Sequence, residues 1–203
     1  MLRDNNIDVK KLVAFIREAK IISYKQAVAF LRNNGLSNKR AESVIGIVKS
    51  KNLTNFTPTN GFIYSSSLIL NDNKMQAFSS VDKLNWLYID LQKFFDSANY
   101  ECKYPCKAFF YNSKGEENAT VFKVRKEFIQ RDCQSIETNF GTQNAEISPI
   151  DTIILVDNEE NIDDIFLSDC FNIVAFAVVK YLDNANAEVK YFDKYRNEIE
   201  VDF

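Results

Sequence analysis

Hydrophobic residues near the start of the chain recur with helical spacing, and the first such stretch predicts a helix near residues 8–19. Its apolar positions are Ile7, Leu12, Val13, Ile16 and Ala19. A second helix over about 24–33 begins after Ser23, which starts a Ser-x-x-Gln capping box. This helix is expected to end at Gly35, because glycine readily takes the left-handed conformation that ends helices. Its predicted buried residues are Ala27, Val28, Phe30 and Leu31.

A third helix and a β-hairpin follow these two helices. Ser37 is expected to cap a helix over about 38–51, whose buried stripe consists of Ala41, Val44, Ile45 and Val48. Two β-prone runs, 53–57 and 62–65, are separated by Pro-Thr-Asn-Gly, a strong hairpin signal. Three helices followed by a hairpin is the order of a winged helix. We therefore predict a winged-helix domain over residues 1–66.

The pattern changes after residues 66–80, which are polar and small at both ends and are predicted to contain the domain boundary. A long amphipathic helix is predicted over 81–98, with one face formed by Leu84, Leu87, Leu91, Phe94 and Phe95. Strand-like runs follow at 107–113, 120–126, 151–157, 172–182 and 188–195, with a short helix at 160–167. We predict an α+β chain whose second domain, 80–203, packs one main helix against a mixed sheet of about five strands.

Charge divides the chain in the same way. Residues 1–70 contain 11 Lys/Arg and 4 Asp/Glu, a net charge of +7, whereas residues 71–203 contain 14 and 24, a net charge of −10. A basic region joined to an acidic one is typical of a nucleic-acid-binding module attached to a part that does not bind phosphate. The alternative is a chance fluctuation of surface charge.

Several classes of chemistry are excluded because the chain has no histidine. Ser-His-Asp and Cys-His catalysis and His-ligated catalytic zinc all need this residue. The four cysteines are too few for a disulfide scaffold and lack a second close pair for a zinc site, so we expect free thiols and no metal or other cofactor. They are Cys102, Cys106, Cys133 and Cys170. No apolar run approaches the length of about 18 residues needed for a membrane span, and no signal peptide is recognised, so we expect a cytoplasmic protein.

The third helix is the candidate DNA-reading element, because this helix of a winged helix enters the major groove. Its exposed start is expected to contact base edges, and the surrounding lysines to contact phosphates. The candidate DNA-binding residues are Lys25, Asn38, Lys39, Arg40, Ser43, Lys49, Lys51 and Asn60. The predicted wing tip contains no Lys or Arg, so its minor-groove contacts are expected to be weak. Winged helices with the same core pattern also dock proteins, and that alternative stays open.

Glu188-Val-Lys190, on a predicted strand, is the one stretch with a catalytic pattern. Restriction-type nucleases use an Asp and then a Glu-x-Lys to hold Mg²⁺ and activate water. Asp151 or Asp157 would supply the first carboxylate. Alternating charge on any solvated strand also produces Glu-x-Lys, and this is the simpler reading.

The layout of a winged helix before a helix-and-sheet domain resembles the replication-relaxation family of bacterial plasmids and integrative elements. The resemblance rests on the order of elements and not on a residue-by-residue motif. It implies that the second domain is a degenerate nuclease fold, in keeping with the poor match at Glu188 and Lys190. We therefore expect a non-enzymatic protein of a bacterial mobile element or regulatory system. Its partners would be double-stranded DNA and, through the acidic domain, a second copy or another protein.

Overall fold

A computed structural model describes residues 2–57, 61–65, 72–95, 97–101, 107–141, 151–182 and 186–201 of the chain. The chain forms two compact units, Met1–Asp90 and Leu91–Phe203. The first unit is mainly helical and the second is built on a large sheet, so the predicted α+β class is confirmed.

The first unit has the winged-helix order of elements. Its helices and strands are α1 (Leu2–Ala19), β1 (Ile21–Ser23), α2 (Tyr24–Asn33), α3 (Asn38–Ser50), β2 (Asn55–Phe56), β3 (Phe62–Tyr64) and α4 (Asp72–Leu91). The strands form an antiparallel sheet in the order β1-β3-β2, with Ile63 of β3 opposite Ile22 and Phe56. The three helices and the hairpin are thus confirmed, and β1 is an addition that the sequence pattern did not reveal.

Local signals explain why α2 begins and ends where predicted. The Oγ of Ser23 accepts a hydrogen bond from the Gln26 backbone N–H (3.1 Å), and the Ser23 N–H donates to Oε1 of Gln26 (3.0 Å). Gly35 has a φ of 87°, the left-handed value expected after a helix end. Phe15 of α1 stacks on Phe30 of α2 with ring centroids 4.7 Å apart, which fixes the two helices against each other.

Helix α4 differs from its prediction in bounds and in packing. It begins at Asp72 and ends at Leu91, not over 81–98, because Lys-Met-Gln-Ala at 74–77 are good helix formers and the chain turns toward a strand soon after residue 91. Its side chains contact the first unit: Nδ2 of Asn85 donates to the Ile21 carbonyl (3.1 Å), and Tyr88 stacks on Phe15 (5.0 Å). The division between units therefore falls at Asp90 and Leu91, beyond the predicted boundary.

The second unit contains a seven-stranded mixed sheet, where about five strands were expected. The strands are β4 (Ser97–Glu101), β5 (Lys107–Tyr111), β6 (Glu117–Lys123), β7 (Asp151–Val156), β8 (Asn172–Tyr181), β9 (Ala187–Phe192) and β10 (Glu198–Ile199), in the order β10-β9-β8-β7-β6-β5-β4. The two additional strands, β4 and β10, lie at the two edges of the sheet. Their residues are mostly polar, and pairing with a neighbour makes them strands.

Strands β6, β7 and β8 run parallel, so crossover segments must join them. Between β6 and β7 the chain forms a 3₁₀ turn (Lys126–Phe128), helix α5 (Ile129–Ile136) and a π turn (Glu137–Gly141). Between β7 and β8 the predicted short helix is a 3₁₀ helix, Glu159–Asp164. The crossovers cover a core formed by residues on and directly after the strands: Phe122, Val124, Ile154, Val156, Phe176, Val178 and Phe192.

Candidate nucleic-acid interface

Helix α3 has one buried face and one fully exposed face. The four residues predicted to be buried are at most 2% exposed and pack into the first unit. The opposite face consists of Lys39, Ser43, Gly46 and Ser50, at positions i, i+4, i+7 and i+11. We call these four residues the α3 stripe. It is a smooth, polar strip with a single positive charge at its N-terminal end.

Two predicted base-reading residues flank this stripe. Asn38 is exposed at the start of the helix. Arg40 is also exposed (47% of the side chain), and its guanidinium lies 3.7 Å from a carboxylate oxygen of Asp8 on α1. An ion pair of this length on the surface contributes little, so Arg40 can exchange Asp8 for another anion at small cost.

The predicted phosphate-binding lysines differ in their surroundings. Lys25, at the start of α2, and Lys51, directly after α3, are exposed. Lys49 is exposed but lies over the ring of Phe56 on β2, with its Nζ 5.6 Å from the ring centroid. Asn60 lies outside the described residues. The structure thus brings five of the predicted residues, from Asn38 to Lys49, onto one helix, with Lys51 next to its end.

A carboxylate lies beside the stripe and limits where a phosphate can bind. Glu42 is exposed on α3 and interacts electrostatically with Tyr24 at the start of α2. Partial burial, with the Glu42 charge as a smaller contribution, raises the pKa of the Tyr24 phenol. The phenol therefore stays protonated and remains a hydrogen-bond donor, whereas Glu42 repels any phosphate on its side of the helix.

The wing is anchored on both sides of its tip. The Thr57 backbone N–H donates to the Phe62 carbonyl (3.1 Å), and the Phe62 N–H donates to Oγ1 of Thr57 (3.2 Å). The Gly61 carbonyl also accepts a hydrogen bond from the Tyr24 N–H (3.0 Å), which ties the wing to the start of α2. The wing base is therefore held at a set position relative to the helix-turn-helix.

Gly46 was not singled out by sequence reasoning and is the unexpected member of the α3 stripe. A Cβ added at Gly46 would meet nothing within 4 Å, so packing within the protein does not require a glycine there. Glycine inside a helix costs about 1 kcal/mol relative to alanine. The available signal was a glycine in the middle of a helical pattern, at a position facing away from the apolar stripe.

The nuclease alternative loses Asp151 but keeps Asp157, which follows β7 at the end of the sheet where Glu188 and Lys190 also lie. Asp151 accepts a hydrogen bond from Asn172 (2.7 Å) at the start of β7 and β8, whereas Glu188 lies opposite Lys180 near the end of β8. Asn172 and Lys180 lie about 26 Å apart along the strand at the usual rise of about 3.3 Å per residue.

The two remaining residues of that alternative have other partners. The Nζ of Lys190 donates a hydrogen bond to the Glu198 carboxylate (2.9 Å), which raises the pKa of Lys190. The Asp157 carboxylate accepts a hydrogen bond from the Lys126 backbone N–H (2.9 Å). Within the described ranges, no group of three His, Cys, Asp or Glu side chains could hold a metal ion.

Comparison of the chain with protein-family models, with curated proteins and with solved structures gave no match. In the part of the chain that the structure describes, no helix is both long enough and apolar enough to cross a membrane. The function is therefore argued from the surfaces of the two units themselves.

Proposed function

We propose that this is a DNA-binding protein that reads a duplex site through α3, and that its second unit dimerises or recruits a partner. The observation that supports this most directly is the α3 stripe, an exposed polar face on the helix that winged helices insert into the major groove. The resemblance in layout to the replication-relaxation family suggests a role in a bacterial mobile element or regulatory system.

The chemistry of the exposed residues suits this role. Asn38 and Arg40 can make paired hydrogen bonds to adenine and guanine respectively, and Lys39 and Ser43 can donate to acceptors on base edges. Lys25, at the start of α2, and Lys51, directly after α3, are exposed and could each contact a backbone phosphate. Gly46 would let the DNA backbone or a base edge approach the helix closely.

Charge separates the roles of the two units. Met1–Asp90 contains 13 Lys/Arg and 7 Asp/Glu, a net charge of +6, and Leu91–Phe203 contains 12 and 21, a net charge of −9. DNA is attracted to the first unit and repelled by the second. If the second units dimerised, two first units could bind one DNA site and double the DNA contacts of a single winged helix.

Protein docking through α3 is the second candidate. Glu42 on the helix and the ion pair between Arg40 and Asp8 favour it, because both reduce the positive charge that faces outward. A docking partner would use the shape of the α3 stripe, and the binding would depend only weakly on salt.

The test is a salt titration of the full-length protein on fluorescent duplex DNA, followed by anisotropy. We expect affinity to fall between about 50 and about 200 mM salt, with a log–log slope of about −3 if three phosphates are contacted. Lys39→Ala should weaken binding at least tenfold. The matched control is Lys114→Ala, which removes an exposed lysine from the acidic unit and should change nothing. Equal affinities of the two variants, or no binding at the lowest salt, would reject the proposal in favour of protein docking.

A further inference from the structure

The segment between β7 and β8 presents an aromatic ring to solvent within an acidic loop. Phe166 is 79% exposed, whereas Ile165 before it is 9% exposed and Leu167 after it packs against the core. Residues 157–170 contain six carboxylates and neither Lys nor Arg. An exposed phenylalanine at such a position has no role in packing the second unit.

Two clefts lie on either side of this ring. The first, of about 550 Å³, lies between Phe166 and the start of α5 and is lined by Phe128, Arg131 and Asp164 among others. The second, of about 380 Å³, lies between Phe166 and the turn after β9 and is lined by Tyr195. Phe128 and Tyr195 are themselves 43% and 72% exposed. We call the three rings and the two clefts the Phe166 surface.

Contacts on either side position Phe128 and the turn that carries Tyr195 before any partner arrives. The guanidinium of Arg125 lies 4.7 Å from the centroid of the Phe128 ring and is fixed by the buried carboxylate of Asp132 at 2.6 Å. On the other side, Oδ1 of Asp193 accepts the Tyr195 N–H (2.8 Å) and so shapes the turn that presents the tyrosine. Preorganised rings lose little conformational entropy when a partner binds.

The charge around the surface selects the partner. The first cleft is lined by two carboxylates, Glu127 and Asp164, and one cation, Arg131, and the second by Asp193 and Lys194. Asp164 belongs to the segment 157–170, whose six carboxylates outnumber these two cations. Such a rim attracts Lys and Arg and repels nucleic acid. A two-fold interface through this surface is disfavoured, because it would bring two copies of the same acidic loop together.

We propose that the Phe166 surface docks a protein segment in which an aromatic or long aliphatic side chain is flanked by Lys or Arg. The apolar side chain would enter a cleft beside Phe166, and the flanking cations would meet Asp164 and its neighbours. This inference rests on the partner role proposed for the second unit and names the kind of partner. It does not depend on DNA binding by α3.

Amide chemical shifts of the full-length protein, recorded during titration with synthetic peptides, test the proposal. The probe is a peptide with one phenylalanine between pairs of lysine and arginine. One control peptide replaces the phenylalanine by alanine, and another replaces the cations by glutamate. We expect shifts confined to 127–131, 164–167 and 193–195 with the first peptide, and at least tenfold weaker binding of each control.

Variants of the protein sharpen the same test. Phe166→Ser should weaken binding of the first peptide at least tenfold. Asp164→Asn should weaken it about threefold and make the binding independent of salt. Leu182→Ser is the matched control, since Leu182 is 65% exposed elsewhere on the same unit, and it should bind like the natural chain. Equal binding of all peptides, or no effect of Phe166→Ser, would overturn the proposal. It would also be overturned by sedimentation showing a dimer that Phe166→Ser dissociates.

The same variants separate this inference from the proposed function. Phe166→Ser should leave DNA affinity unchanged, and Lys39→Ala should leave peptide affinity unchanged. Peptide binding without DNA binding would refute only the role of α3, and DNA binding without peptide binding would refute only the role of the Phe166 surface.

Discussion

The two units of the chain hold their helices in place through different polar contacts. In the first, Gln26 and Asn85 are both 0% exposed: Nε2 of Gln26 donates to the Asp82 backbone carbonyl (3.0 Å) and carboxylate (2.7 Å), and Asn85 donates to the Ile21 carbonyl. In the second, the buried carboxylate of Asp132 accepts three hydrogen bonds from Arg125. The amide network spreads its energy over several residues, whereas the ion pair concentrates it in one pair of residues.

The outer surfaces of the units differ in a parallel way. The α3 stripe is small, polar and part of a basic unit, and the Phe166 surface is aromatic and part of an acidic one. Under the two proposals, each surface would meet a partner of the opposite charge. One chain could then hold two recognition surfaces without competition, because charge would direct each partner to its own unit.

The largest effect should come from Asp132→Ala in the second unit. Removal of the carboxylate leaves the Arg125 guanidinium without its buried partner, and we expect the free energy of unfolding to fall by about 3 kcal/mol. Urea denaturation followed by hydrogen exchange of the β6 and β7 amides would measure this. Glu160→Ala, at an exposed carboxylate of the same unit, is the control and should be nearly neutral. A loss as small as that of the control would show that the ion pair does not stabilise this unit.

For Gln26→Ala in the first unit, we expect a smaller fall in the free energy of unfolding, about 2 kcal/mol. The change removes the side-chain half of the capping box and the hydrogen bonds to Asp82, so α2 and α4 should loosen together. Trp86, the only tryptophan, lies on α4 and reports the unfolding of this unit by fluorescence. Arg32→Ala, at an exposed position of the same helix, serves as the reference. If both variants unfold at the same urea concentration, the Gln26 network is not a stabilising feature.

Gly46→Ala should change stability and binding in opposite directions. Alanine is the better helix former, so the first unit should gain up to about 1 kcal/mol. If DNA approaches the α3 stripe closely, the same methyl group should weaken DNA binding at least tenfold. Gly35→Ala is the contrasting variant: at a φ of 87° it should destabilise the unit by about 1 kcal/mol. Unchanged DNA affinity in Gly46→Ala would show that the glycine is not needed for close approach.

The smallest effect concerns Glu18, which is partly buried and whose Oε2 accepts a hydrogen bond from the Tyr88 hydroxyl (3.4 Å). Burial raises the pKa of Glu18, with opposing contributions from Tyr88 and Lys20. Since the folded pKa exceeds the unfolded one, the stabilising contribution is present at low pH and is lost as the pH rises through the folded pKa.

Glu18→Gln should therefore stabilise the first unit at neutral pH and make little difference below the ordinary pKa of 4.5. Urea denaturation followed by Trp86 fluorescence, at neutral pH and below pH 4.5, would measure this difference in stability. A variant less stable than the natural chain at neutral pH would contradict the expected sign.

The sequence predicted the winged helix well because its signals are local. The Ser23 capping box and Gly35 act within a few residues, so α2 begins and ends where expected. Helix α5 was missed because it is short and only Ile129, Cys133 and Ile136 place apolar groups on the core side. Strands β4 and β10 were missed because pairing with a neighbour, and not composition, makes them strands.

The candidate sites also differ in how much of each was visible in the sequence. By itself, the sequence determined which face of α3 would be buried, since helical periodicity leaves only one arrangement of Ala41, Val44, Ile45 and Val48. It also determined the opposite charges of the two regions. Only the tertiary structure decided that α4 packs with the first unit and that Asp151 lies far from Glu188. It alone showed that Phe128, Phe166 and Tyr195 share one surface, because these residues are distant along the chain and only the order of strands in the sheet brings them together.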